Sequence, residues 1–385
     1  MRKLCWTGAA AVTCALVLAA LAPGGNAQPT KAPPVDRAKW EAVVGKAIEF
    51  LKTTQEKDGG WSTNKNPGVA GIVLTGLLRT GKVTPKEPMA ERALKYIESL
   101  VNPKAKHIAG NDPKVQLQNY VTSVNVMALS AAKRADRYEA IIGNAVTFLK
   151  QLQWDEGEGK TPQDAFYGGA GYDSKSRPDL SNTQFFLDAL KAAGVSKDDP
   201  ALKKALIFVS RCQNLKGEHN DQPWAGRIGD GSFIYTAATG GVTKVIDNPG
   251  ADDPRPGYAS MTYAGIKSLI YAGVSKEDER VKKAFEWIRK NYSVDANPGM
   301  PEDRKEWGLY YYYNTMAKCL AALELDYVID AAGKKHNWRA DILAALERRQ
   351  RPDGSWSNNS HWMEADPNLV TGYALMALSY CNPKD

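Results

Sequence analysis

The sequence predicts an all-α protein whose helices form six hairpins closed into a ring, an α/α toroid. Three observations carry this. A heptad recurs near both ends, Gln55-Glu56-Lys57-Asp58-Gly59-Gly60-Trp61 and Gln350-Arg351-Pro352-Asp353-Gly354-Ser355-Trp356. Each reads Gln, three residues, Gly, one residue, Trp, with Asp directly before the Gly. One amphipathic helix pattern is written six times along the chain. Each copy is followed by a polar or Gly-rich loop and then a more uniformly apolar helix.

The first helix of each pair shows apolar residues at i, i+3, i+4 and i+7, the signature of one buried face. The sets are Val44, Ala47, Ile48, Leu51; then Ala90, Ala93, Leu94, Ile97; then Ile142, Ala145, Val146, Leu149. Leu202, Ala205, Leu206, Val209 and Val281, Ala284, Phe285, Ile288 continue it. In the sixth copy Arg339 takes the first slot before Ile342, Leu343 and Leu346. Ala at the second slot in the first five copies implies close helix approach. The second helices are expected at residues 69–78, 120–132, 182–193, 260–272, 310–323 and 369–380. Helices apolar all round are buried on all sides, so they should form an inner ring inside the amphipathic outer one. A solenoid of stacked hairpins is the alternative arrangement.

The heptads read as staples at helix ends. Asp-Gly makes the turn, with Gly in a conformation that side chains resist. The Gln amide can bond orphan peptide groups at neighbouring helix ends, and the Trp supplies an apolar plate. Gln213, with Asp230, Gly231, Ser232 and Phe233, reads as a third staple split by an insertion. The staple residues are thus Gln55, Gly59, Trp61, Gln213, Gly231, Phe233, Gln350, Gly354 and Trp356.

These heptads resemble the QW motif of the squalene-cyclase and prenyltransferase repeat superfamily, and the resemblance covers roughly residues 40–382. It implies a single barrel of six hairpins and so favours closure over a solenoid. Its chemistry is not carried over with it. Squalene-hopene-type cyclases use an Asp-x-Asp-Asp acid, which is absent: Asp198 and Asp199 follow Ser196-Lys197, and Asp252 and Asp253 follow Gly250-Ala251. The Asp-x-Cys of zinc-binding prenyltransferase subunits is absent too. Tyr258-Ala259-Ser260 stands in the corresponding region, and Asn314-Thr315 where a His-Thr is expected. Neither the Gly-Cys-Gly-Glu-Gln of thioester toroids nor any metal or cofactor signature is present.

The chain opens Met1-Arg2-Lys3, then a short apolar run from Trp6 to Leu21, then Pro23-Gly24-Gly25-Asn26-Ala27. This describes a secretory signal peptide over residues 1–27, with an uncleaved anchor as the alternative. The expected location is periplasmic or secreted. Residues 28–39 are Pro-rich at their start and read as a flexible linker, and 40–385 as one toroid. Removing Arg2 and Lys3 lowers the formal charge of +7 to +5, a scattered excess that argues against nucleic-acid binding. Cys212, Cys319 and Cys381 remain beyond the leader and form no disulfide framework.

Every loop entering an inner helix should crowd one mouth of the ring, where helix N-termini favour anions or polar headgroups. Aromatic residues gather in and near those loops: Tyr167, Tyr172, Trp224, Tyr258, Tyr263, Trp307 and the run 310–313, where geometry lets at most two face the cavity. Tyr311 and Tyr312 are taken as that pair. Aromatic faces stabilise cations and enclose long apolar ligands, so an isoprenoid-like molecule or lipid is the expected partner. The catalytic candidates are Asp252 and Asp253 as a paired acid, or else a plain turn, and His361 with Glu364 as an acid/base pair, or else a helix cap. Three functions stay open: a cyclase or transferase on that ligand, a binding or interaction toroid without chemistry, and a polysaccharide lyase. The lyase would draw on Arg177, Arg227 and Arg255 with Asp173, Asp179 and Asp230.

Overall fold

A computed structural model describes residues 32–112 and 117–383. The described residues form one compact unit. The outer helices are α1 (Arg37–Thr54), α3 (Pro88–Ser99), α5 (Ala135–Gln151), α7 (Pro200–Arg211), α10 (Glu279–Lys290) and α12 (Trp338–Arg349). The inner helices are α2 (Gly68–Arg79), α4 (Gln118–Ala131), α6 (Leu180–Ala192), α9 (Ala259–Tyr271), α11 (Leu309–Ala322) and α13 (Pro367–Tyr380). A single turn, α8 (Ala225–Ile228), lies in the longest loop. Inner helices pack in sequence order, and α13 closes on α2. The protein is therefore a closed α/α toroid and not an open solenoid. Each inner helix lies within two residues of its expected bounds.

The closing contact shows why small residues sit there. A Cβ on Gly76 would lie 2.9 Å from Gly372 O, and one on Gly372 would lie 2.9 Å from the Ile72 side chain. Ala47, Ala93, Ala145, Ala205 and Ala284 on the outer helices are all fully buried.

Each staple ties its outer helix to the next one. Gln55 Nε2 donates to Gly59 O (2.8 Å) within its own loop and to Met89 O (2.9 Å) in α3. Gln213 Nε2 donates likewise to Gly231 O (3.0 Å) and Arg280 O (2.8 Å) in α10. Gln350 Nε2 donates to Gly354 O (3.0 Å) and Val43 O (2.9 Å) in α1, which closes the outer ring. The glycine in each staple lies flat on that next helix. A Cβ on Gly354 (φ +89) would be 2.3 Å from Lys46 O, and one on Gly59 (φ +97) 2.5 Å from Arg92 O. Trp61 and Trp356 are fully buried, and their indole N–H groups donate to Leu51 O and Leu346 O, both at 2.8 Å. Those carbonyls lie in the last turn of α1 and α12, where helices run out of internal donors.

A fourth staple escapes the heptad reading. Gln153 Nε2 donates to Gly168 O (2.8 Å) and Ala201 O (2.9 Å), and Gly168 (φ +83) lies against Lys204 O. Ala170 stands where the other staples have Trp or Phe. The signal was Gly168-Gly169-Ala170 after a helix ending in Gln, obscured by a long insertion. A threonine on the inner helix completes the unit. Thr183, Thr262 and Thr371 accept from the backbone N–H of Ala170 (3.0 Å), Phe233 (3.1 Å) and Trp356 (3.3 Å).

Two sequence expectations change. Residues 1–27 and 28–31 lie outside the described residues, but 32–39 are no tether. Val35 is buried, Asn337 donates to Pro33 O, and Asp36 caps α1 through Lys39 N. The inner helices are also less apolar than they read. Gln184, Asp188, Lys267, Asn314 and Lys318 are buried on them. Inside a closed ring, even polar side chains are withdrawn from water.

Candidate functional site

The site follows from helix direction. All inner helices start at one end of the ring, and a cavity of about 280 Å³ opens there. Its wall comes from the first turns of the inner helices: Tyr120 on α4, Asn182 and Phe185 on α6, Met261 on α9, Tyr311 on α11, Leu369 and Tyr373 on α13. Loops complete it with Tyr172, Tyr235, Tyr258, Trp362 and Glu364. Eight aromatic rings therefore surround one space. Neighbouring rings meet edge-on, Tyr120 with Phe185 at 5.2 Å and Tyr311 with Tyr373 at 6.1 Å between centroids. This is the favoured arrangement for ring quadrupoles. Tyr120 and Tyr373 hydroxyls are 3.3 Å apart. Tyr172 and Trp362 are exposed at the rim, 39% and 43%.

Trp362 and the adjacent Met363 both have left-handed backbone, φ +53 and +64. That conformation is costly for large side chains. It turns the segment so that Trp362, Met363 and Glu364 all reach the cavity. Glu364 Oε1 accepts from the N–H groups of Tyr310 (2.9 Å) and Tyr311 (3.0 Å) at the start of α11, and Oε2 accepts from Asn358 Nδ2 (2.8 Å). Burial pushes its carboxyl up to about 7, although Asn358 and the helix N–H groups pull the other way. A second buried carboxyl, Asp179, caps α6 through Asn182 N and Nδ2, both at 2.8 Å. Burial raises it as well, against those hydrogen bonds.

Below the cavity, toward the C-terminal ends of the inner helices, lies a charged plug. Asp188 on α6 bonds Lys267 Nζ of α9 (2.5 Å) and Lys318 Nζ of α11 (2.7 Å). Gln184 also accepts from Lys267. Burial pushes Lys267 down to about 8 despite Asp188. For Asp188 burial acts upward, but the two lysines outweigh it and hold the group low.

The structure gathers Tyr172, Tyr258, Tyr311 and Glu364 of the sequence candidates around the cavity. The others sit elsewhere, each for a visible reason. Tyr167 donates to Glu156 (2.7 Å) on the outer side of its loop. Trp224 is buried against Gly241. Tyr263 packs on Tyr312, whose hydroxyl donates to Ser293 O (2.6 Å). Trp307 stacks on His361 at 3.6 Å, so that imidazole is held by a ring and does not pair with Glu364. Asp252 is almost wholly exposed and pairs with Arg227 (3.0 Å), while Asp253 closes a turn by accepting from Gly250 N (2.7 Å). They form a surface turn and not a buried acid. Asp252→Asn and Asp253→Asn are expected to leave thermal midpoint and ligand binding unchanged by calorimetry; loss of binding would restore them to the site.

Part of the lyase set is also engaged in its loops, while Arg177 lies on the wall residue Tyr235. Arg255 donates to the carbonyls of Gly241 (2.9 Å), Asp253 (2.5 Å) and Gly250 (2.8 Å), and Asp230 bonds Ser232. Both brace loops. Tyr120, Phe185, Tyr235 and Tyr373 escaped the sequence reading. For Tyr120, Phe185 and Tyr373 the signal was position, an aromatic within the first two turns of an inner helix; Tyr235 lies in the long loop before α9 and carried no such signal. Among the described residues, no group of three or more His, Cys, Asp or Glu is arranged to hold a metal.

No family model and no curated protein sequence matches the chain. Solved structures do. A variant of the type II terpene cyclase MstE from Scytonema, bound to its substrate geranylgeranyl dihydroxybenzoate, superposes with TM-score 0.54 at 13% identity, over 90% of this chain and 98% of that one. A glycosidase variant gives TM-score 0.54 at 12% identity, over 89% and 97%. Another glycosidase variant, in complex with glucose, gives 0.52 at 12% identity, over 90% and 97%. At these identities the likeness is one of fold: this chain is an α/α toroid of the architecture that terpene cyclases and glycosidases share.

Proposed function

We propose that this protein binds an isoprenoid-like hydrophobic molecule in the aromatic mouth cavity. The observation that carries the reading is the eight-ring wall around one space at the end of a closed barrel. Such a wall removes apolar surface from water and offers ring faces to any cationic centre formed on the ligand. The leader of the sequence reading would place this binding outside the cytoplasm. Native mass spectrometry with lipid extraction, on protein purified from its own host, tests it. A co-purifying isoprenoid is expected, whereas an empty barrel that also fails to bind added isoprenoids would leave an interaction toroid.

One observation favours a second, catalytic reading. Glu364 is a cavity carboxyl held near neutrality, so it carries its proton at pH 6 and can give it to an ether, acetal or epoxide oxygen. It is too weak an acid to protonate an alkene, which separates this chemistry from the Asp-x-Asp-Asp route. Turnover of an oxygen-bearing ligand should therefore fall as pH rises through about 7. Linkage gives an independent check. Between the unfolded value of about 4.3 and the folded value, the folded state holds the extra proton, so this group's contribution to stability is lost as pH rises across that window. Glu364→Gln should flatten that part of the stability–pH curve and abolish turnover. An unchanged curve would mean that the carboxyl is ionised throughout and serves only as a helix cap.

A further inference from the structure

We propose that the cavity takes an amphiphile with one acidic headgroup, a carboxylate or phosphate, whose head is held by Arg177 and Lys244 beside the wall residue Tyr235 while its apolar body lies among the rings. This rests on the binding reading above and names the ligand class. Both cations lie on Tyr235, itself part of the cavity wall. Lys244 Nζ is 4.6 Å and Arg177 Cζ 5.4 Å from its ring centroid. Both side chains are half-buried. Among the described residues, neither has a carboxylate within ion-pairing distance or donates a hydrogen bond.

Three other basic side chains around these loops are committed. Arg211 donates to Pro162 O and Asp164 O, Arg255 to three carbonyls, and Arg304 to Asp247. The acids whose fields reach the two cations, Asp179 for both and Asp247 for Lys244, form no ion pair with either. Asp179 is held by Asn182, and Asp247 by Arg304. Burial lowers Lys244, and the like charge of Arg177 adds to it. A bound anion would relieve both costs with charge-assisted hydrogen bonds. The aromatic interior would reject that same anion, since an unpaired buried charge is expensive. The two environments meet at Tyr235, which sets the ligand's orientation: head at the two cations, chain inward.

The test compares farnesoic acid, farnesyl monophosphate, farnesol and inorganic phosphate on the full chain by isothermal titration calorimetry. The two farnesyl acids should bind about tenfold or more tightly than farnesol, the scale of one or two charge-assisted contacts. Added salt should narrow that gap. In the double variant Arg177→Met, Lys244→Met the preference should fall to about twofold or less, with farnesol affinity retained as proof of folding. Equal binding of acids and alcohol by the unaltered protein overturns the headgroup inference and leaves the cavity reading standing. Binding of none of the farnesyl compounds overturns both. Inorganic phosphate binding as tightly as farnesyl monophosphate would mean an anion site without an amphiphile. A preference that survives in the double variant would remove Arg177 and Lys244 from the site.

Discussion

Trp356→Ala is expected to destabilise the protein by about 3–5 kcal/mol, the range for truncating a buried aromatic. The indole is fully buried and donates to Leu346 O, so alanine leaves both a cavity and an unpaired carbonyl at the end of α12. Trp356→Phe should recover much of the packing but not the hydrogen bond, and so fall between. Phe233 already fills the equivalent place in another staple. Urea unfolding followed by far-UV circular dichroism measures both. A loss below about 1 kcal/mol for alanine would mean that the ring closes without this staple. The effect should be large because the last staple joins α12 to α1: Gln350 reaches Val43 O, and Gly354 lies on Lys46. A ring cut there becomes a solenoid with two exposed ends.

The second large effect is expected at the charged plug. Asp188→Asn should cost about 3–5 kcal/mol at pH 6, because it leaves two buried lysines with no counter-charge. The pH dependence fixes the mechanism. Asp188 has a folded value below its unfolded one, so its contribution is present above about pH 4 and lost as the pH falls through the folded value. Lys267 is also lowered, to about 8 against an unfolded value near 10.4. Between those values the unfolded chain holds the extra proton, so this group makes stability rise with pH. The Asn variant should therefore recover part of its loss above pH 8, as the lysines become neutral. A loss that stays constant from pH 6 to 10 would show that packing, and not charge, sets the cost. Replacing Asp188, Lys267 and Lys318 together by Leu and Met should be milder than removing Asp188 alone, since no buried charge remains.

Glu364 shows where the sequence reading of the site stopped. Sequence places the carboxylate three residues from His361, which allows an acid/base pair or a helix cap, and spacing alone does not choose between them. In the structure His361 turns to Trp307, and Glu364 turns inward onto α11. The left-handed pair Trp362–Met363 makes that difference. No composition signal announces left-handed backbone at two large residues, because only tertiary contacts sustain it. The aromatic candidates divided for a related reason. Loop aromatics such as Tyr167 and Trp224 were free to pack locally, and did. Helix aromatics such as Tyr311 were fixed in direction by register, and only one of the four consecutive tyrosines lines the cavity.

By itself the sequence determined the architecture, since hydrophobic period, loop spacing and the Gln-Gly-Trp staples are local and repeat. It also showed which residue types were available at the mouth. Tertiary structure alone decided which of them face one another. A closed ring brings α2 beside α13 across nearly the whole chain, places Lys267 and Lys318 on one aspartate, and sets Arg177 and Lys244 on one tyrosine. Those meetings depend on inter-helix angle and loop course, which no single segment encodes, so the cavity and its charges become legible only after closure.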